Sequence, residues 1–113
     1  MTSMTLTGTL KNADGSPAVG QVELTPTQEM RDASASLVVP WSTVRVALDN
    51  VGHFSVQLYA NDDAATQPPN TKYAMVQKLI DGTAVTDSPL YFVLPHVSAP
   101  SVDLSALTLS DTP

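Results

Sequence analysis

In LDNVGHFSVQLYANDD, residues 48–63, Phe54, Val56 and Leu58 are apolar, while His53, Ser55 and Gln57 between them are polar. A two-residue period sends alternate side chains to opposite faces, as in a strand with one side buried and one in water. Asp49, Asn50 and Gly52 before it tolerate the backbone angles of a tight turn. The stretch therefore reads as a hairpin arm that runs into an acidic loop. Nothing in it is poised for chemistry.

The same grammar extends in both directions. Met4, Leu6 and Leu10 alternate with Thr5, Thr7 and Thr9, and β-branched threonine suits the solvent side of a strand. Asn12-Ala13-Asp14-Gly15 supplies turn chemistry, with Asp14 expected to accept backbone N–H bonds as Asx turns do. Val19, Val22 and Leu24 are the expected core contributors of the next strand; Gly20 marks either a bulge or a close approach of another backbone. TQEMRDAS, residues 27–34, is too short for a stable helix and reads as a loop. Pro40 breaks an apolar run before Val44, Val46 and Leu48 resume the alternation. In TKYAMVQKLI, Tyr73, Met75 and Leu79 face one way and Val76 and Ile80 the other, which predicts a central strand closed by the Asp81-Gly82 turn. PLYFVLP, residues 89–95, repeats the two-sided pattern, and VDLSALTL, residues 102–109, reads as a short edge strand or a helical turn. These elements predict an all-β chain: one antiparallel β-sandwich of about seven strands, a single domain over residues 1–113. Residues 96–113 are a candidate contact-making tail.

The totals narrow the function classes. Five Lys plus Arg against eleven Asp plus Glu give a net charge of −6, which opposes binding to a phosphate backbone. There is no cysteine, hence no disulfide, thiolate metal site or cysteine nucleophile. No segment approaches the ~20 apolar residues that cross a bilayer, and MTSMTLTGTL lacks the basic and apolar runs of a secretory signal. The expectation is a soluble protein with neither nucleic-acid nor membrane partners.

Chemistry-bearing residues are sparse. Asn61, Asp62 and Asp63 form an oxygen-rich loop, but calcium takes six to eight oxygens and Ala64 and Ala65 follow where ligands would be needed. Asp62 and Asp63 are weak metal candidates, and a solvated loop is the favoured reading. His53 and His96 are the only imidazoles, and neither a G-x-S-x-G nor an H-E-x-x-H motif accompanies them. A pair of carboxylates can always be chosen from eleven acids, so that count carries no weight. No catalytic residue and no cofactor are expected. Trp41 either caps one end of the core, where its indole N–H finds a partner, or stands exposed as an interface anchor; Tyr59 has the same alternatives.

The ordered set LTGTLKNADGSPAVGQVELTP, VRVALDNVGHFSVQLYANDD, TKYAMVQKLIDG, PLYFVLP and SVDLSAL resembles the layout of structural modules in tailed bacteriophages. The likeness spans about Met4 to Leu107, and such modules look like N-terminal docking domains of minor tail or fibre proteins of actinobacterial phages. The D-G-x-P turn and the G-x-F segment also resemble prealbumin-like and carboxypeptidase-regulatory-like sandwiches. The resemblance implies a non-enzymatic virion protein, made soluble in the host cytoplasm, whose partners are other virion proteins or further copies of itself. Such modules usually precede a fibre, and this chain ends at Pro113, so the implied unit is the docking module alone, on a tail or as a decoration protein on a capsid. Candidate contact residues are Thr5, Thr7 and Thr9 of the first strand, Trp41 and Tyr59, and Val102, Leu104 and Leu107 of the tail. A carbohydrate-binding module is the alternative from another class, tested by Trp41 and Tyr59; a small hydrolase ranks last for want of a motif.

Overall fold

A computed structural model of the chain describes residues 2–62, 66–69, 71–86, 88–95 and 101–112. The alternating segments become strands: β1 (Ser3–Thr9), β2 (Gln21–Pro26), β3 (Met30–Asp32), β4 (Leu37–Val39), β5 (Val44–Ala47), β6 (His53–Tyr59), β7 (Tyr73–Lys78), β8 (Leu90–Phe92) and β9 (Ser101–Asp103). One sheet has the order β6-β1-β9 and the other β5-β2-β7-β8, with β3 and β4 forming a separate two-stranded ribbon. The inward phases of the two sheets meet as one core. Met4, Leu6, Phe54, Leu58 and Val102 come from the first, and Val22, Leu24, Tyr73, Met75 and Phe92 from the second. Each fully buried side chain of this size contributes about 1.5–3 kcal/mol. The Tyr73 ring stacks on Phe92 with centroids 5.8 Å apart. Its hydroxyl donates to the Tyr59 carbonyl at 2.7 Å, which ties β7 of one sheet to β6 of the other.

The expected sandwich is therefore present, and β7 is central as its two-sided pattern implies, lying between β2 and β8. Several local readings need correction. Residues 48–63 are not a hairpin, because β5 and β6 belong to different sheets. Asp49–Gly52 does reverse the chain, with Gly52 N–H donating to Asp49 O at 3.1 Å. β5 then lies along β2, while β6 pairs over its whole length with β1. The turn carries the chain from one layer to the other. A second departure is β9, which pairs parallel to β1 through Thr5–Ser101, Leu6–Val102 and Thr7–Asp103, whereas the strands of both sheets otherwise pair antiparallel. β8 finishes at the end of the sandwich where β1 begins, so a chain arriving from there runs alongside β1 in the same direction.

The supposed loop 27–34 contains β3 and a 3-10 turn over Ala33–Ala35. Met30 and Asp32 point inward with Arg31 outward, and the inward carboxylate disguised the alternation. Asp32 accepts from Ser34 N–H and Ala35 N–H at 3.1 and 3.3 Å, capping the turn that Ser36 ends in a left-handed conformation. Val19, expected in the core, is 63% exposed, because it precedes β2 on the approach loop.

Candidate contact surfaces

The acidic loop is organised around Asn61, which is buried. Its side-chain carbonyl accepts from Leu94 N–H at 2.8 Å, and its amide donates to the Thr71 carbonyl. Its backbone N–H donates to Leu94 O at 3.0 Å. Asn61 is thus a structural clamp between β6, the loop and the end of β8, and its oxygen is not offered to an ion. Asp62 is exposed, and Asp63 lies outside the described residues. No cluster of three or more His, Asp or Glu side chains fit to hold a metal occurs among the described residues. His53 stands 4.0 Å from Asp49 across the turn, partly exposed; His96 lies outside the described residues.

Four other aspartates do turn work. Asp14 accepts from Ser16 N–H and Oγ–H at 3.0 and 2.6 Å, as its turn sequence predicts. Asp49 accepts from Val51 N–H and His53 N–H, Asp81 from Thr83 N–H, and Asp103 from Ser105 and the Thr7 hydroxyl. All four carboxyls are held below their ordinary range: Asp14 first by the Ser16 hydroxyl, Asp49 by His53 N–H, Asp81 by Thr83 N–H and Asp103 by the Ser105 hydroxyl. A depressed folded-state pKa gives stability that is present above the unfolded value and lost as pH falls through the folded one. Thermal melts should accordingly be level near neutrality and decline below about pH 4, where free aspartate titrates. Asp81→Asn keeps an acceptor without the titration and should flatten part of that decline.

The outer side of β1 is polar. Thr5 and Thr7 are half-buried and Thr9 is exposed on the outer side of β1, in the expected phase. As a pairing edge β1 is excluded, because β6 and β9 flank it on both sides. On the other sheet Glu23 lies between Arg45 at 3.0 Å and Lys78 at 3.2 Å. Burial pushes its carboxyl up, and the hydrogen bonds from Lys78 and Arg45 outweigh that and leave it lowered.

The tail is no free arm. Val102 and Leu104 are 8% and 9% exposed, and Leu107 packs against the core. Ser110 exchanges both backbone bonds with Tyr91 at 2.8 and 3.0 Å, so the segment stitches β9 of one sheet to β8 of the other. These three residues are withdrawn as contact candidates, since Val102 and Leu104 face inward while Asp103, Ser105 and Ala106 face water. Residues 96–100 and 113 lie outside the described residues.

Trp41 is 72% exposed, which overturns its reading as a core cap. It occupies the apex of a three-residue turn, with Ser42 N–H donating to Pro40 O at 2.9 Å. A 2.9 Å hydrogen bond between Thr43 and Thr25 hydroxyls lays the turn across β2. There the indole borders a shallow groove of about 340 Å³ with Thr25, Pro26, Thr27, Ala74 and Tyr91. Tyr59 instead lines a smaller cleft of about 190 Å³ with Pro26, Val39, Val44 and Tyr73, so the two aromatics serve different surfaces. Tyr91 is the aromatic that the sequence reading missed. The alternation of Leu90, Tyr91 and Phe92 contains the signal, since Leu90 and Phe92 register with inward Met75 and Tyr73.

Three further apolar side chains in water gather at the opposite end of the molecule, whereas Val38 and Val44 are exposed on β4 and β5 and Leu109 beside Ser110. Val19, Val51 and Ile80 sit on the three loops that precede β2, β6 and follow β7, and Ile80 is 90% exposed. Val19 and Ile80 share a depression with Gly20, Leu79 and Asp81. No known protein-family model matches the sequence, and no curated protein matches it.

Proposed function

We propose that the chain is a non-enzymatic structural protein of a tailed-bacteriophage virion, a docking module that joins other virion proteins. The reading rests on the ordered motif set from Met4 to Leu107 and on one structural observation that fits it. The outer sides of β1 and β2 show threonines and a Glu23 paired with both Arg45 and Lys78, whereas the loops show Val19, Ile80 and Trp41 to water. Exposed apolar groups clustered at loop ends mark contact sites. The Val19–Ile80 loop end is the surface through which such a module makes its contacts. Like charge at −6 keeps free copies apart before assembly. A minor tail or fibre placement is the leading form; decoration of a capsid is the other, and copy number relative to the major capsid protein separates them.

Two measurements test this. Purified particles should contain the chain in fixed stoichiometry; its absence from them would overturn the virion role. Ile80→Asp should leave folding within about 0.5 kcal/mol, as expected for a surface change, and lower incorporation about ten-fold, the effect of losing ~1.4 kcal/mol at a contact. Normal incorporation of that variant would remove the Val19–Ile80 end from the docking surface.

A further inference from the structure

We infer that the Trp41–Tyr91 groove binds a neutral saccharide. The floor is the outer side of β2 and β7, where Thr25 and Ala74 stand opposite each other, and Ala74 in turn stands opposite Tyr91 of β8. Small residues between two large aromatics leave a flat shelf with a wall at each side. The volume, about 340 Å³, falls at the lower end of ligand clefts, roughly 300–1,000 Å³.

Three features choose the ligand. First, none of the six lining residues carries a charge, although the chain has sixteen charged side chains at pH 7. An ionic ligand would find no counter-charge here, and an anionic one would meet the overall negative field. Second, the indole offers an open π-face whose negative quadrupole attracts the slightly positive C–H bonds that line one face of a pyranose ring. Third, two further lining residues, Thr27 and Tyr91, carry hydroxyls, the small number of polar groups that orient a ligand on an apolar surface. Trp41 is also pre-placed. Its turn is closed by the Ser42–Pro40 bond and anchored by the Thr43–Thr25 bond, so little backbone freedom is lost on binding. Tyr91 is held just as firmly, by Ser110 on one side and β7 on the other.

The site is independent of the Val19–Ile80 end, and its test needs only the purified chain. The sequence contains one tryptophan, so indole emission reports on this groove alone. Short neutral oligosaccharides of glucose, galactose, mannose, arabinose and N-acetylglucosamine would be titrated in turn. At saturation with the ligand that fits, emission should shift to the blue. Acrylamide quenching should fall about two-fold, because a stacked ring covers one face of the indole. Ala74→Arg fills the shelf from an outward position and should abolish both changes while the melting curve stays cooperative. Tyr91→Ala should weaken binding about ten-fold, with Trp41 still reporting. The inference is overturned if no oligosaccharide alters emission or quenching, or if the response survives intact in Ala74→Arg. It is equally overturned if Trp41 is shielded only in assembled particles, which would make the groove a protein contact.

Discussion

Deletion of residues 101–113 is expected to unfold the domain. The segment supplies Val102 and Leu104 to the core, backs it with Leu107, and closes β8 through Ser110. Loss of the two buried side chains alone removes roughly 3–6 kcal/mol at ~1.5–3 kcal/mol each. That is a large share of the ~5–15 kcal/mol that stabilises a domain. The deletion also strips β9 from β1, leaving the Thr5–Thr7 backbone as an open edge able to pair with other chains. Size exclusion should show aggregation, and near-ultraviolet circular dichroism should lose its Tyr and Trp signal. A milder variant isolates the packing part: Leu104→Ala should cost about 2–5 kcal/mol and shift the urea midpoint accordingly. A truncated chain that melts cooperatively at the full-length temperature would mean that the segment is a detachable arm after all.

That result would also show how far local pattern reaches. The alternation of Phe54 with Leu58, and of Met4 with Leu6, was legible because a half-buried strand writes its burial into every second residue. Which strands would pair was not legible. Asp49–Gly52 reports that the chain reverses, but whether the next strand returns to the same sheet depends on which edge is vacant. Here β6 is paired along its length with β1. Asp32 hid β3 because an inward carboxylate satisfied by Ser34 looks like a loop residue when its partners are unseen. Val102 and Leu104 read as contact residues from their place near the terminus, although their spacing is that of core residues. Trp41 shows an alternative that pattern could not decide: core cap and exposed anchor were both open, and the turn at Pro40–Ser42 holds the indole outside. For the candidate groove, half of the pair could be named from the sequence. Tyr91 required knowledge of which phase of β8 faces the core.

Gly20→Ala is expected to be among the most damaging single substitutions, and Gly15→Ala among the mild ones, although both glycines have positive φ. Gly20 has φ +105° and Gly15 φ +88°, so a side chain at either is strained. The cost of that strain is about 1–2 kcal/mol. Surroundings separate them. A Cβ on Gly15 meets nothing within 4 Å, whereas one on Gly20 would stand 2.2 Å from the Lys78 carbonyl oxygen and 2.9 Å from the Leu79 Cα. Both contacts are backbone, so no rotamer change relieves them. Nor can Gly20 itself retreat, because its carbonyl accepts from Leu48 N–H at 2.9 Å and the neighbouring Val19 carbonyl accepts from Gln77 Nε2 at 3.0 Å. Relief must come from shifting β7, the central strand, away from β2. Gly20→Ala should thus cost more than about 3 kcal/mol, in the range that marks a forced backbone rearrangement. At ~4 °C or more per kcal/mol, its melting temperature should fall by upwards of ~12 °C, against about 4–8 °C for Gly15→Ala. Equal losses in the two variants would mean that φ alone sets the requirement for glycine, and that β2 and β7 are not held at the spacing on which the outer shelf beside Trp41 depends.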